Sequence, residues 1–308
     1  MISVPLITDI KRCSREDGPG IRTVVFFKGC PLRCVFCHNP ECWTTGPSIA
    51  FHEEDCIQCG QCGRVCPQEA IDFSAPFRIH RERCNNCGLC AEVCPGFGIR
   101  KVGDAYTVDE LLEILLRDEN YYAASGGGVT FSGGECTMHM GFLTKLARAL
   151  KDQGIHVAIQ TSGFFDYSSF ADSLLQHVDL MYFDVKFGDS RLHREYTGKG
   201  NETIISNLRQ LLRHRRDAVI PRIPLIPETT ATTENLKRIA ELLHHMRAPH
   251  VVLLPYNPTG LAKFRRLDLE PPTLPEHFMT RDEEVRIVEF FRQCLGREAK
   301  LHGSVTQE

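Results

Sequence analysis

Eight of the chain's 15 cysteines lie in one short segment and repeat a single spacing. The first copy of the pattern C-x2-C-x2-C-x3-C-P runs from Cys56 to Pro67, and the second runs from Cys84 to Pro95. A segment this short cannot bury a large apolar core, so its thiols must hold it together. The repeat therefore restricts this part of the chain to either a disulfide scaffold or a metal-bound unit.

The expected compartment favours metal ligands over disulfides. The first residues carry no basic stretch followed by an apolar core, so we expect no export signal. The spacing resembles that of bacterial ferredoxins, in which the fourth Cys of each run binds the other cluster. We predict two 4Fe–4S clusters, one held by Cys56, Cys59, Cys62 and Cys94, the other by Cys84, Cys87, Cys90 and Cys66. Paired zinc sites are the alternative, but they usually include His and do not need a Pro after each fourth Cys.

A second group of thiols has one member fewer. Cys30, Cys34 and Cys37 form a C-x3-C-x2-C run. A 4Fe–4S cluster has one ligand for each iron, so three thiolates leave one iron open. An open coordination position distinguishes a catalytic metal site from a structural one. The run predicts a reactive iron–sulfur site, with a zinc ion completed by His38 as the alternative.

Charge and hydropathy exclude other classes of function. The formal net charge of −3 provides no basic surface for nucleic acid or an anionic membrane. No stretch approaches the roughly 18 consecutive apolar residues of a membrane span. We therefore expect a cytoplasmic protein with neither nucleic acid nor a membrane as a partner.

Outside residues 51–101, apolar runs of strand length alternate with helical periods. The predicted strands are 21–28, 128–132, 155–160, 179–185, 218–226 and 250–255. The predicted helices are 107–117, 139–152, 167–177, 202–215, 232–247 and 281–295. Capping-box pairs mark two of the helix starts, Thr107 with Glu110 and Thr280 with Glu283. This alternation predicts an α/β fold with a parallel sheet, either open or curved into a barrel.

Unusual polar and glycine-rich motifs follow the predicted strands. The three-thiol run follows the first strand, and the later motifs lie at 132–136, 160–163, 184–186, 224–227 and 255–257. The C-terminal ends of the strands carry the chemistry in barrel enzymes. The pattern therefore predicts one functional site, at one face of one sheet.

At these motifs the sequence resembles the radical S-adenosylmethionine superfamily, and more narrowly the glycyl-radical-enzyme activating enzymes. The three-thiol run with Phe36 before its last Cys matches the superfamily, and the sequences at 17–22 (DGPGIR) and 37–39 (CHN) match the activating enzymes. The resemblance implies a partial (β/α)6 barrel formed by residues 1–50 and 102–308. It also implies that residues 51–101 are an inserted ferredoxin-like domain with two 4Fe–4S clusters.

The resemblance further implies a reaction. Cys30, Cys34 and Cys37 would hold a third 4Fe–4S cluster, whose open iron binds the cosubstrate S-adenosylmethionine. One electron, supplied by flavodoxin or ferredoxin, would cleave the cosubstrate to methionine and a 5′-deoxyadenosyl radical. That radical would remove a hydrogen from a backbone glycine of a partner glycyl radical enzyme. The activating enzyme itself is expected to be a monomer.

The resemblance also assigns residues to the site. Contacts to the cosubstrate are implied for Phe36, Cys37, His38, Gly133, Gly134, Glu135, Thr161, Asp184, Val185, Lys186, Arg222 and Asn257. Lys186 is implied to act in catalysis beside the carboxylate or ribose, with a structural ion pair to Asp184 as the alternative. Glu135 either fixes its turn or accepts a hydrogen bond from the amino group. Asp17, Gly18 and Pro19 match the loop that meets the partner's glycine, with a simple turn as the alternative.

Three residues depart from the family pattern. Cys136 replaces a frequent Pro, and we expect an ordinary thiol there because a fourth thiolate would block the open iron. Gln160 replaces an acidic residue, which weakens a monovalent-cation site expected near Asp184. Asn257 replaces a His and cannot titrate near neutral pH.

Two other functions compete with this interpretation. A non-catalytic electron carrier would account for residues 56–94 but not for the three-thiol run or the motifs after the strands. A radical enzyme acting on a small molecule would account for both, but not for the similarity of the 17–22 loop to the activating enzymes.

Overall fold

A nine-stranded sheet forms the body of the protein, and a two-stranded sheet lies in a smaller unit inserted after the first parallel strand. The computed structural model describes residues 4–75 and 78–302. In chain order the strands are β1 Leu6–Ser14, β2 Arg22–Phe27, β3 Ser48–Phe51, β4 Ile99–Val102, β5 Asp104–Ala105, β6 Gly128–Gly133, β7 His156–Thr161, β8 Leu180–Asp184, β9 Val219–Leu225, β10 Val252–Pro255 and β11 Lys300–Leu301. The helices are α1 Gln61–Val65, α2 Leu89–Glu92, α3 Val108–Leu116, α4 Glu119–Ser125, α5 Met140–Asp152, α6 Tyr167–Ser173, α7 Ser190–Thr197, α8 Glu202–His214, α9 Thr233–His245, α10 Leu261–Arg266 and α11 Arg281–Leu295.

The large sheet has the order β11-β10-β9-β8-β7-β6-β2-β1-β5. In this sheet the pairs β11–β10, β10–β9, β9–β8, β8–β7, β7–β6 and β6–β2 are parallel, whereas β1 is antiparallel to β2 and to β5. The predicted parallel sheet is thereby confirmed, and its six predicted strands correspond to β2 and β6 to β10. The strand β1 was not predicted, because its sequence, LITDIKRCS, is too polar to stand out as a buried run.

The sheet curves into a partial barrel. Its parallel strands β2 and β6 to β10 lie side by side in chain order. Right-handed crossovers between such strands place all the connecting helices on one face of the sheet. The sheet therefore curls with its other face inward, and β11 and β5 lie at its two edges.

The two faces of the sheet have different chemistry. Alternate residues such as Met181 and Phe183 of β8 and Ile223 of β9 are fully buried in an apolar core shared with the helices. The intervening residues Tyr182 and Arg222 face the other side, where they contact each other. The alternation follows from the strand period of two residues, so the polar members line the concave face.

The six predicted helices are present as α3, α5, α6, α8, α9 and α11. Both predicted capping boxes are confirmed, since Thr107 and Thr280 each exchange hydrogen bonds with the Glu three residues later. Five further helices were not predicted: α1 and α2 in the insert, and α4, α7 and α10 outside it. Among the described residues, none of the helices has both the length and the apolar character needed to cross a membrane.

Candidate active site

The three-thiol run lies in the loop after β2 and is fixed by a neighbouring helix. The amides of Arg33 and Val35 donate to the carbonyls of Thr197 and Tyr196 at the end of α7, at 2.8 and 3.0 Å. Lys28, which is fully buried, donates from Nζ to a backbone carbonyl and two hydroxyls of the segment that follows the run. Both ends of the loop are thus held in place by the protein itself.

The thiols of this run are withdrawn from solvent. Cys34 is buried, and Cys30 and Cys37 are half-buried. Burial raises the pKa of all three thiols, that of Cys30 to about 12. As free thiols they would stay protonated at neutral pH, whereas a bound metal displaces the proton and stabilises the thiolate. A set of three convergent sulfur donors fits an iron–sulfur cluster.

The spacing of the sulfur atoms argues against a single zinc ion. A tetrahedral zinc with bonds of about 2.3 Å holds its sulfur ligands about 3.8 Å apart. Across residues 4–75 and 78–302, only His52, Glu54 and Asp55 bring three ligand atoms within 4.8 Å of one another. The His38 ring, the expected fourth zinc ligand, instead places Nε2 at 3.2 Å from the Thr259 hydroxyl. The three thiols are not such a group, so they do not form a preformed zinc site.

An ion-pair network lies at the ends of β8 and β9. The Asp184 carboxylate contacts Lys186 Nζ at 3.1 Å and Arg222 Nη2 at 3.0 Å. The Arg222 guanidinium also lies over the Tyr182 ring, 5.0 Å from its centroid. The side chains of Lys186 and Arg222 are each only 11% exposed, so solvent screens these contacts weakly.

This network directs positive charge toward the three thiols. Burial opposes ionisation of Asp184, but Lys186 and Arg222 hold its pKa below its usual value. Burial likewise opposes the charge on Lys186, yet the Asp184 carboxylate keeps its pKa raised. Lys186 therefore remains a cation beside the three-thiol loop. The ion pair with Asp184, which we considered as the alternative role of Lys186, is present.

We expect Asp184→Asn to destabilise the protein. It leaves Lys186 and Arg222 facing each other without a counter-ion, and breaking such a pair costs about 2–4 kcal/mol. Urea unfolding of the reconstituted protein at neutral pH measures this loss. The matched control is Asp179→Asn at the other end of β8, where the pair with Lys151 is about one-third exposed. The control should lose about 1 kcal/mol, and equal losses in the two variants would contradict the prediction.

Gly133 and Gly134 form a turn that packs against the start of the three-thiol loop. Gly133 has a φ of +109°, and a Cβ there would lie 2.3 Å from the Phe27 amide nitrogen. A Cβ on Gly134 would lie 2.3 Å from the Gly29 carbonyl oxygen. The amide of Gly134 also donates to the Phe27 carbonyl at 2.9 Å. The close approach that requires these glycines is therefore an approach to the loop itself, and their contact with the cosubstrate stays a prediction.

Glu135 is fully buried and fixes this turn. Its Oε1 accepts from the Thr137 and Thr161 hydroxyls at 2.7 and 2.9 Å. Its Oε2 accepts from the amide and the hydroxyl of Ser162 at 2.8 and 2.6 Å. Both oxygens are thus occupied within the protein, so the structure favours the turn-fixing role of the two that the sequence left open. The same contacts hold Thr161 at the end of β7.

Two predicted cosubstrate contacts have different surroundings. The Val185 side chain is buried in the apolar core, so only its backbone is left to face the site. The Phe36 ring lies 6.3 Å from that of Phe187, which stacks on Tyr196 at 5.3 Å. Tyr196 was not predicted as a neighbour, because it lies on α7, which was not predicted. The Asp189 cap and Gly198 at its two ends were the signals that could have located the helix.

Asn257 and His38 are joined through one hydroxyl. The Asn257 side chain accepts from the amide and the hydroxyl of Thr259 at 3.0 and 2.7 Å, and that hydroxyl lies 3.2 Å from His38 Nε2. Asn257 therefore caps the short turn after β10, which rests against the three-thiol loop. The replacement of His by Asn keeps a hydrogen-bonding residue at this strand end.

The other two departures from the family pattern also have defined surroundings. Cys136 is fully buried, with Sγ 3.8 Å from the carbonyls of Phe131 and Gln160, as expected of an ordinary thiol. The Gln160 amide donates to the Asp17 carboxylate at 2.8 Å. Asp17 is thus brought to the ends of β6 and β7, which places the 17–19 loop beside the other predicted site residues.

The inserted unit contains two cavities lined by cysteines. One is lined by Cys56, Cys59, Cys62 and Cys94. The other is lined by Cys66, Cys84, Cys87 and Cys90. These are the two groups of four that the crossed ferredoxin pattern predicts. The apolar core of the unit is small, with Ile49, Ile79, Cys90 and Ile99 at its centre, so bound clusters would supply much of its cohesion.

Side chains of α10 and of the residues beside it connect the insert to the three-thiol loop. Arg266 pairs with Glu54 of the insert, and Asp268 pairs with Arg81. On the other side, Lys263 binds the Glu41 carboxylate, four residues after Cys37, at 2.6 Å. The insert and the three-thiol loop are therefore held against the same short segment.

Comparison with known protein families identifies this arrangement. The profile of the radical SAM superfamily matches residues 79–243, which is more than half of the chain. The chain belongs to the radical SAM superfamily. Profiles of a 4Fe–4S dicluster domain and a 4Fe–4S single cluster domain match residues 50–99 and 16–74, so the second of these includes the three-thiol run.

Curated relatives place this radical SAM protein among the glycyl radical enzyme activating enzymes. It is 41% identical to the trans-4-hydroxy-L-proline dehydratase activating enzyme of Clostridioides difficile, over 85% of this chain and 88% of that one. It is 38% identical to the choline trimethylamine-lyase activating enzyme of Oleidesulfovibrio alaskensis, over 87% and 88% of the two chains. A radical SAM methyltransferase from Sphaerobacter thermophilus has the same fold, with a TM-score of 0.54 and 15% identity over 97% of this chain and 77% of that one.

Proposed function

We propose that this radical SAM protein activates a partner glycyl radical enzyme by generating a radical on one of its glycines. The observation that carries the proposal is a loop with three, not four, cysteine ligands, placed beside the cationic Lys186 at the C-terminal ends of the strands. The relatives that share this arrangement are named as activating enzymes. The membership in an enzyme superfamily argues against a non-catalytic electron carrier.

The chain's own residues have defined tasks in this proposal. Cys30, Cys34 and Cys37 hold a 4Fe–4S cluster, and Lys186 presents a positive charge to the carboxylate of S-adenosylmethionine. When bound and reduced, the cluster supplies the electron that splits the cosubstrate into methionine and a 5′-deoxyadenosyl radical, which takes the glycine hydrogen. Burial at the strand ends excludes water from this reaction. The 17–19 loop receives the partner's glycine segment.

We further propose three 4Fe–4S clusters in all, with the insert passing electrons from flavodoxin or ferredoxin to the catalytic cluster. The protein would act as a monomer in the cytoplasm. A monovalent cation near Asp184 has weaker support, because Asp184 already has two cationic partners and Gln160 is bonded to Asp17. Exchanging potassium for a bulky organic cation in the assay tests for it, and we expect little change in rate.

A direct assay tests the central proposal. The reduced, anaerobic protein is mixed with S-adenosylmethionine and a glycyl radical enzyme encoded beside it. We expect 5′-deoxyadenosine together with a glycyl doublet in the EPR spectrum, and no doublet from a partner whose radical glycine is replaced by Ala. Deoxyadenosine without a doublet on any co-encoded partner would favour a small-molecule substrate. Absence of deoxyadenosine under strong reduction would contradict both enzymatic functions.

A further inference from the structure

A single side chain joins the cosubstrate side of the site to the loop proposed to receive the partner. Gln160 lies at the end of β7, where its Oε1 accepts from the Ser132 hydroxyl at 2.7 Å. Its Nε2 donates to Asp17 Oδ1 at 2.8 Å. Both ends of the amide are therefore used, and each contact is with a different part of the site.

The two hydrogen-bond partners of Gln160 lie beside different parts of the proposed site. Ser132 directly precedes Gly133 and Gly134, and Gln160 directly precedes Thr161, so two predicted cosubstrate contacts adjoin the bridge. Asp17 begins the loop that we propose for the partner's glycine segment. The bridge thus connects residues that differ by 143 positions in sequence but lie at adjoining functional surfaces.

The rest of the 17–19 loop is fixed from the side of β1, β2 and β6. Asp17 Oδ2 accepts from the Ser14 hydroxyl at 2.6 Å, and the Asp17 carbonyl accepts from the Thr130 hydroxyl at 2.8 Å. Arg22 donates to the Pro19 carbonyl at 3.2 Å. Lys11 Nζ also lies 3.6 Å from Asp17 Oδ2. Gln160 adds a restraint from β7 on the other oxygen, so it helps to orient the carboxylate of Asp17 toward the site.

The amide suits this position because its neighbour is a carboxylate. A neutral amide presents a donor to Asp17 and an acceptor to Ser132 at the same time. A carboxylate at residue 160 would instead face the Asp17 carboxylate at hydrogen-bond distance, and like charges so close repel strongly. An acidic residue here is compatible with the observed loop only if a proton or a cation separates the two groups.

We propose that Gln160 is a positioning residue, which couples the strand ends at the cosubstrate to the loop that receives the partner's glycine. This inference rests on the proposed function. It implies that residue 160 affects use of the partner protein more than it affects cleavage of S-adenosylmethionine in the partner's absence.

A set of four variants tests the coupling: Gln160→Glu, Asp17→Asn, the double variant, and Gln153→Glu as a control at the end of α5. We expect Gln160→Glu to raise the KM for the partner about 10- to 100-fold, the equivalent of one charge-assisted hydrogen bond. Deoxyadenosine formation without partner should fall by a smaller factor than activation of the partner does. The double variant should have the same KM for the partner as Asp17→Asn. The amide introduced at position 17 can donate a hydrogen bond to the carboxylate introduced at position 160. The control should behave as the unmodified protein does.

Hydrogen exchange provides a readout that does not depend on activity. Amides of residues 17–22 in the reconstituted protein should exchange faster in Gln160→Glu and regain protection in the double variant. Unchanged exchange, or an equal effect of Gln160→Glu with and without Asp17→Asn, would overturn the coupling. Failure of the proposed function would give a different result. The unmodified protein would then form no glycyl radical on the partner, while the exchange pattern of the variants would still follow the prediction.

Discussion

Replacement of Cys34 by Ala is expected to lower the rate of deoxyadenosine formation at least about a thousandfold, because no other group of the site supplies the electron. Cys34 is the most buried thiol of the three-thiol loop, with 7% of its surface exposed. Its loss leaves two thiolates for four irons, which is too few to retain the cluster. Iron and sulfide analysis of the reconstituted protein should fall from about twelve to about eight atoms per chain.

The matched control is Cys42→Ala. Cys42 is also fully buried and lies five residues after the last ligand, with Sγ 3.4 Å from the Thr8 hydroxyl. We expect this variant to keep both its iron content and its activity. Equal iron loss in Cys42→Ala would show a fourth protein ligand, and the open coordination position on which the proposed function depends would not exist. Absorbance from the insert clusters reports whether each variant is folded.

Features encoded in contiguous sequence were predictable. The unbroken apolar run at Val251 to Leu254 predicted a strand, and β10 lies there. The run also suggested burial on both faces, whereas only Leu253 of β10 is fully buried. The cysteine spacing predicted which four thiols would share each cavity of the insert. The capping boxes at Thr107 and Thr280 were predictable because each involves only four neighbouring residues. In all these cases the deciding interaction is local, or it follows a repeated motif.

Features that depend on distant residues were not predictable. The Gln160 side chain was expected only to weaken a cation site, whereas its partner proved to be Asp17, on the far side of two neighbouring strands. For Glu135 the sequence left a turn-fixing role open, but it did not identify the donors of its five hydrogen bonds, which are Thr137, Thr161 and Ser162. Nothing in a local pattern reports which surfaces a curved sheet brings together, so the attachment of the insert to α10 was also missed.

The insert's position against the three-thiol loop leads to the second major prediction, which concerns electron delivery. Cys59 and Cys87 are the exposed members of the two groups of four. The pairs Arg266–Glu54 and Arg81–Asp268 fix the insert to the segment that also binds the three-thiol loop. If the insert conducts electrons, damage to its clusters should lower the rate of activation by a protein donor. It should not lower the rate with a small reductant that reaches the catalytic cluster directly.

We expect Cys59→Ala and Cys87→Ala each to slow activation with reduced flavodoxin about tenfold or more, because an altered cluster changes the potential of the relay. With dithionite as the donor, the rates should stay within about twofold of the unmodified protein, because this donor bypasses the relay. Cys13→Ala, which removes an exposed thiol from β1, is the matched control and should alter neither rate. Equal losses with both donors in folded variants would instead assign the insert a structural or docking role.

Since Glu54 and Arg266 pair across the junction, Glu54→Arg should reproduce the donor-specific loss, and its combination with Arg266→Glu should restore the rate.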